Sequence, residues 1–163
     1  MKVTTPEYAV NCGLSVVQAR QVLKAANGER LYTLYVLALC LGLRRGELLG
    51  LRWHWQDADL ETGTLEVVQT LQRVGGALRF VRPKTENSAR TIPLPPLCIN
   101  ALREHRRQQF TERAGAWPDW QENGLIFPTR IGTPMEADNL RRSWGRIRTT
   151  AGLGGTRFHD MRH

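Results

Sequence analysis

Apolar residues near the start of the chain recur at helical spacing. Residues 1–14 have no clear period and are expected to form a linker. Ser15 and Gln18 have the spacing of a capping box, which predicts that an amphipathic helix begins there. A second helix is expected over about 30–41. Because that segment is apolar nearly all round, it should be the most buried helix, and Gly42 should end it.

The middle of the chain changes to an alternating period. Two segments, around 65–67 and 78–80, alternate apolar and polar residues, which predicts two short strands. Gly75-Gly76 between them is typical of a hairpin turn. A third short strand is expected from Arg90 to Pro93, and the segment 84–89 should be the turn before it.

Helical spacing returns after residue 95. Pro95-Pro96 is expected to open a long helix that extends to about Arg113. A second helix is expected over 137–151, and His159 should begin one more. The stripe predicted to be buried on the long helix consists of Cys98, Ala101, Leu102 and His105. Together these patterns predict one mostly α-helical domain over 15–163 with a small antiparallel β-sheet, an α+β fold.

Charge narrows the class of partner. The 163 residues include 23 Lys+Arg and 15 Asp+Glu, for a formal net charge of +8 at pH 7. A surplus of this size favours a polyanionic partner such as nucleic acid.

Cysteine usage and apolar runs predict the compartment. Cys12, Cys40 and Cys98 are far apart and form no CxxC pair, which is typical of a reduced, cytoplasmic protein. The start of the chain has no apolar stretch like a signal peptide. The longest apolar run, 31–43, is too short to span a bilayer. We therefore expect a cytoplasmic protein that does not act on a membrane.

Three sets of residues could carry chemistry. Arg44 lies two residues after Gly42, at the start of a short predicted helix, where backbone N–H groups favour anions. Glu47, three residues later, could orient it, although a surface Arg–Glu pair would have the same spacing. Lys84 lies at a predicted turn, where its ammonium could donate a proton to a leaving oxygen, or could simply be solvated.

The third set is His159 and Arg162, which lie one helical turn apart. Histidine exchanges protons near neutral pH, and arginine keeps its charge, so the two together suit phosphoryl transfer. His159 and His163 also have the spacing of a zinc-binding HxxxH helix, with Asp160 in the position of a metalloprotease glutamate. The neighbouring Arg162 would repel a cation, so no metal is expected.

The order of these motifs resembles the layout of the tyrosine recombinases, or phage integrases. The chain contains Gly-Leu-Arg-x-Gly-Glu-Leu-Leu-x-Leu-x-Trp, a hairpin, Pro-Lys-Thr-x-x-Ser-x-Arg-x-Ile-Pro-Leu, a long helix, and Phe-His-Asp-Met-Arg-His. The resemblance covers roughly residues 15–163. It implies a DNA-binding, site-specific recombinase in which a tyrosine hydroxyl attacks a DNA phosphate, forms a 3′-phosphotyrosyl bond and frees a 5′-hydroxyl. No metal or nucleotide cofactor is implied, because the covalent intermediate keeps the bond energy for rejoining.

The resemblance also implies a role for each motif residue. Arg44 and Arg162 would bind the non-bridging oxygens of the phosphate. Lys84 would protonate the leaving 5′ oxygen, and His159 would transfer a proton to or from the tyrosine. Glu47 would support Arg44.

Further residues of the same motifs are expected at the DNA. Arg45, Lys84, Thr85 and Arg90 are the predicted DNA contacts, and His163 follows Arg162 as in many relatives. The implied partners are double-stranded DNA and other recombinase protomers bound to it.

The sequence also departs from the family pattern. Relatives carry the nucleophilic tyrosine some dozens of residues after His-x-x-Arg, whereas Tyr8, Tyr32 and Tyr35 all precede Arg44. The chain is therefore interpreted as a truncated catalytic domain, with residues 1–14 as linker, and is expected not to cleave DNA alone.

Two other functional interpretations of the sequence remain open at this point. One is a catalytically inactive DNA-binding remnant or regulator, which the basic charge supports equally well. The other is a helix-turn-helix regulator built on residues 30–53, which would leave the hairpin and the Lys-Thr turn unexplained.

Overall fold

Helices dominate the computed structural model, which describes residues 13–54, 57–82 and 89–162. The helices are α1 (Val16–Ala26), α2 (Tyr32–Leu41), α3 (Arg45–Leu49), α4 (Pro96–Ala116) and α5 (Ala137–Thr150), followed by a 3-10 helix (Phe158–Met161). The strands are β1 (Ala58–Asp59), β2 (Thr64–Val67), β3 (Thr70–Val74), β4 (Ala77–Val81) and β5 (Arg90–Pro93). The predicted α+β fold, mostly helical with small antiparallel sheets, is confirmed.

The chain gathers into two compact units. The helical unit consists of the described residues up to Arg45 and from Ala137 onward, and the sheet unit consists of those from Gly46 to Glu136. The first contains α1, α2, α5 and the 3-10 helix, and the second contains all five strands and α4.

The helical unit begins with the predicted capping box. The Ser15 hydroxyl accepts a hydrogen bond from the Gln18 backbone N–H at 3.1 Å, and the Gln18 side chain accepts one from the Ser15 N–H at 2.9 Å. Helix α2 is buried at every position from Thr33 to Leu39, as its apolar sequence predicts. Gly42 ends it with a left-handed φ of 64°, a conformation that glycine adopts without strain.

Three aromatic rings form the centre of the helical unit. Tyr35 of α2 is fully buried, and its ring lies 5.9 Å from that of Trp144 and 6.2 Å from that of Phe158. Its hydroxyl shares a hydrogen bond of 2.6 Å with Ser143 Oγ. Burial raises the pKa of Tyr35 to about 12, although the Ser143 hydrogen bond acts in the opposite direction. These contacts attach the 3-10 helix to the core.

The sheet unit differs from the predicted hairpin in one respect. Strand β2 pairs with β1 and β5, with Leu65 opposite Ile92, and does not form the hairpin. The strand before Gly75-Gly76 is β3, which pairs with β4. Both glycines have left-handed φ angles, so they form a tight turn that joins only adjacent segments. The sequence did not predict β3, because Leu71 is the only buried residue of this strand and one buried residue gives no alternating pattern.

The remaining elements follow the predicted order with small differences at their ends. Helix α4 buries the predicted Cys98, Ala101, Leu102 and His105. Residues 125–127 are buried, and Leu125 forms an isolated β-bridge with Arg52. Arg44 precedes α3 instead of lying in it, so the prediction of a helix that includes Arg44 was wrong by one residue. The helix predicted at His159 is a 3-10 helix.

A bilayer-spanning element is absent from this part of the chain. Within residues 13–54, 57–82 and 89–162, each helix is too short or too polar to cross a membrane.

The buried pair of hydroxyls in the helical unit leads to a stability prediction. Tyr35→Phe should lower the free energy of unfolding by about 1–2 kcal/mol, because Ser143 Oγ would lose its partner in a buried place. Ser143→Ala should cost a similar amount, and the double variant should cost less than the sum. Urea denaturation of the four proteins measures this coupling. Tyr32→Phe, on the same helix but half-buried, is the control, and additive costs would contradict the prediction.

Candidate phosphate-binding site

The loop that leads to Arg44 also holds Arg162. The Nε–H of Arg162 donates to the carbonyl oxygen of Gly42 at 3.0 Å, across 120 positions of sequence. Leu43, which follows Gly42, is buried and fixes the loop in the core, whereas Arg44 is exposed. The two arginines that the sequence predicted to act together are therefore attached to the same short loop of the helical unit.

Local hydrogen bonds hold the turn that carries His159. The carbonyl oxygen of Thr156 accepts hydrogen bonds from Trp144 Nε1 at 2.9 Å and from Arg148 Nη1 at 3.1 Å. After that turn, Met161 is buried, and the backbone N–H of Arg162 donates to the His159 carbonyl at 3.1 Å. His159 is exposed and Arg162 is half-buried. The side chains of His159 and Arg162 thus extend from a turn that is bonded to the core on its N-terminal side.

The carboxylate of Asp160 is used within this turn. It accepts hydrogen bonds from the Arg157 backbone N–H at 2.8 Å and from Arg157 Nη2 at 3.1 Å. The backbone hydrogen bond is the main reason that the pKa of Asp160 is lowered. In the described part of the chain, His, Cys, Asp and Glu side chains do not gather in groups of three that could hold a metal ion. His163, the second histidine of the HxxxH alternative, lies outside the described residues.

In the sheet unit, Glu47 forms an ion pair with Arg90. The Glu47 carboxylate is buried and accepts from Arg90 Nη1 at 2.7 Å and from Nη2 at 3.2 Å. These hydrogen bonds raise the pKa of the Arg90 guanidinium. The sequence predicted both residues, Glu47 as a support for Arg44 and Arg90 as a DNA contact, but its motifs did not indicate that they pair. Both assigned roles remain predictions.

The sequence motifs did not indicate the structural role of two glycines, Gly46 in α3 and Gly50 just after it. A Cβ atom on Gly46 would lie 3.0 Å from the Leu71 carbonyl oxygen, and one on Gly50 would lie 3.1 Å from that of Gln69. Their absent side chains let this helix lie against β3, and the Gln69 side-chain amide donates to the Gly50 carbonyl at 2.8 Å. Four-residue spacing of small residues on one face was the signal that could have found them.

The remaining predicted residues occupy separate places. Arg45 is exposed at the first position of α3. Lys84 and Thr85 lie outside the described residues, so their assigned roles remain predictions. Of the predicted set, the structure thus brings Arg162 to the Arg44 loop and Arg90 to Glu47.

The side chains carried by this loop and this turn are chemically suited to an anion that has more than one oxygen. Guanidinium groups are planar donors that bind phosphate through paired hydrogen bonds and keep their charge at any working pH. An imidazole on the same turn as one of them can move a proton near neutral pH. These residue types are the ones expected at a site that binds and activates a phosphate diester, and that role remains a prediction.

Comparisons with known proteins point the same way. The sequence model of the phage integrase family matches residues 14–163. A tyrosine recombinase XerC-like protein of Caldanaerobacter subterraneus is 34% identical over 174 residues, which cover 98% of this chain and 44% of that protein. An integrase of Streptomyces ambofaciens is 36% identical over 80% of this chain and 34% of its own length.

A solved structure agrees with the sequence matches. The Tn1549 transposon integrase in complex with circular intermediate DNA superposes with a TM-score of 0.74 at 26% identity, over 99% of this chain and 54% of that one. The chain thus spans about half of that integrase, and less than half of the length of the two relatives named above. Because the family model matches nearly all of the 163 residues, the chain belongs to the phage integrase family of tyrosine recombinases.

Proposed function

We propose that this chain provides the phosphate-binding and proton-transfer residues of a site-specific DNA recombinase. The reaction would break and rejoin double-stranded DNA through a 3′-phosphotyrosyl intermediate. The hydrogen bond from Arg162 to the Gly42 carbonyl carries this proposal, because it attaches the His-x-x-Arg turn to the loop of Arg44.

The proposed roles follow from charge. A phosphodiester gains negative charge on its non-bridging oxygens as a nucleophile approaches, and Arg44 and Arg162 would stabilise that charge. His159 would move the proton of the attacking hydroxyl. Lys84 would protonate the 5′ oxygen that leaves. Such a reaction needs neither metal nor nucleotide, since each exchange of ester bonds conserves the bond energy.

Double-stranded DNA is the proposed substrate. The net charge of +8 favours a polyanion, and the similar Tn1549 integrase is solved in complex with DNA. Relatives of this chain are named integrases, so integration or excision of a DNA element is the proposed outcome, with other protomers as partners on the DNA.

Tyr35 does not fit the role of the attacking residue. It is fully buried, its hydroxyl is bonded to Ser143, and its raised pKa opposes ionisation. Tyr32 is half-buried on the same helix, and Tyr8 lies outside the described residues. The burial of Tyr35 favours a second candidate function, in which these 163 residues bind recombination sites without cutting them.

The first prediction concerns which phosphate the arginines bind. A duplex is selected for binding from a random pool and then prepared with a neutral methylphosphonate at each position in turn. At one position, the methylphosphonate should weaken binding of the native chain but not of Arg44→Ala or Arg162→Ala. Each variant has already lost an arginine that contacts this phosphate, so removing the phosphate charge costs no further affinity. Arg20→Ala, an exposed arginine of α1, is the matched control. Effects at two different phosphates would show that the arginines do not share one.

The second prediction separates the two candidate functions. The chain is joined to the tyrosine-bearing segment of the Caldanaerobacter recombinase and incubated with a nicked form of the selected duplex. Arg44→Ala or Arg162→Ala should slow formation of the covalent protein–DNA adduct by a factor of about 10² to 10³, because each removes a donor to transition-state charge. DNA affinity should fall by less than about tenfold. If the rate falls no further than the affinity, the arginines only bind DNA.

The third prediction identifies the partner of Glu47. Glu47→Gln should lower the free energy of unfolding by about 1–3 kcal/mol, since Arg90 would lose a charged hydrogen-bond partner. In an Arg90→Gln background the same change should cost much less. Urea denaturation provides both values. An undiminished cost in that background would show that Glu47 stabilises the fold through another residue.

A further inference from the structure

One face of α4 carries unusually exposed aromatic side chains. Phe110 is 74% exposed and Trp117, which caps the helix, is 69% exposed; these are the highest values among large apolar residues of the described chain. Phe110 lies seven residues after Arg103 and seven before Trp117. Seven residues make nearly two helical turns, so the three positions lie along one side of the helix.

A shallow cavity opens on the same face. It has a volume of about 360 Å³ and lies between α4 and the turn that joins β1 to β2. Its walls are Leu60 and Glu61 of the turn, and Arg103, Arg106, Arg107 and Phe110 of the helix. Three guanidinium groups around two apolar side chains suit a ligand that is both aromatic and acidic.

The arginines of this cavity are held in place by the sheet unit itself. Arg106 lies over the ring of Trp53 at 5.7 Å, and Arg107 makes two hydrogen bonds to Glu104, of 3.0 Å and 2.5 Å. Arg103 donates to the Leu60 carbonyl at 3.4 Å. The contact with Trp53 shows that a guanidinium on this helix already accommodates an indole ring.

A segment of matching chemistry follows α4. Trp117 is succeeded by Asp119 and Glu122, all three exposed. Glu122 pairs with Arg113 at 2.8 Å. The chain thus displays an aromatic and acidic segment at the C-terminal end of α4, and a basic cavity with apolar walls along the middle of the same helix.

Spacing makes the segment after α4 and the cavity complementary in a symmetric pair. Arg103 and Trp117 lie at equal distances from Phe110, about 10 Å of helix on each side. If two copies of α4 lie antiparallel and cross at Phe110, Trp117 of each copy therefore faces Arg103 of the other. Such a contact uses the same surface on both copies and closes on itself.

We propose that this face of α4 is the interface between two copies of the chain. Phe110 packs against the partner's Phe110 near a two-fold axis. Trp117 of each copy enters the arginine-lined cavity of the other, where Asp119 meets Arg103. The interface does not involve Arg44, His159 or Arg162. A failure of this proposal would therefore leave the proposed DNA chemistry unaffected, and the reverse also holds.

DNA fits this face less well than a second copy. Leu60 and Phe110 give the cavity apolar walls, which a phosphate backbone does not match and an indole ring does. Duplex binding at this face is the competing outcome that the experiment must distinguish.

Sedimentation velocity of the 163-residue chain without DNA tests the proposal. A concentration-dependent monomer–dimer equilibrium is expected, and Phe110→Asp or Trp117→Ala should weaken it by at least about tenfold, as central aromatic residues of interfaces do. Leu97→Asp is the matched control, because Leu97 is exposed on α4 but lies off this face. Both changes are at exposed positions, and circular dichroism verifies folding.

Disulfide formation gives a second, independent measurement. Phe110→Cys, in a chain with Cys12→Ser and Cys40→Ser, should form a covalent dimer under mild oxidation, because a residue at the axis lies close to its own copy. Leu97→Cys in the same background should not.

Three results would overturn the proposal. One is a chain that stays monomeric up to about 500 µM, far above the Kd of a specific interface. The second is a dimer that Phe110→Asp leaves unchanged. The third is a loss of duplex affinity in Arg103→Ala and Arg106→Ala with self-association intact, which would assign the face to nucleic acid.

Discussion

The hydrogen bond from Arg162 to the carbonyl of Gly42 is the contact on which the candidate site depends. It joins residues 120 positions apart and is partly buried, so it connects the end of the helical unit to the loop that presents Arg44. Gly42 contributes to this contact in two ways. Its left-handed φ turns the chain out of α2, and its carbonyl oxygen, which accepts no hydrogen bond within the helix, accepts the one from Arg162. One glycine thereby ends a buried helix and provides the acceptor that orients a guanidinium.

The core of the helical unit explains why that contact is held in place. Phe158 packs against Tyr35 and Trp144, and the Thr156 carbonyl is bonded to both Trp144 and Arg148. The 3-10 helix therefore lies against packed rings on one side and exposes His159 on the other. Asp160, which the motif places between His159 and Arg162, stabilises the turn through Arg157.

In the sheet unit, the buried carboxylate of Glu47 likewise connects two segments that are distant in sequence. Glu47 lies in α3, three residues after Arg44. Its carboxylate accepts hydrogen bonds from both terminal nitrogens of Arg90, at the start of β5. Close packing of α3 on β3 depends on Gly46 and Gly50, where a side chain would meet backbone oxygens. The motif around Arg44 thus combines residues proposed for chemistry with residues that only permit close approach, and spacing alone does not separate the two.

Local periodicity and capping determined most of the elements, because a helix or a tight turn is decided by residues within a few positions of each other. The capping box at Ser15, the buried α2 and the stripe on α4 were therefore predictable, and the order of the motifs was sufficient for the family. The strand β3, the pairing of Glu47 with Arg90 and the bond from Arg162 to Gly42 join segments that are distant in sequence or lack a periodic signal. Only the tertiary structure decided them, since the energy of such contacts depends on which surfaces the packed core brings together.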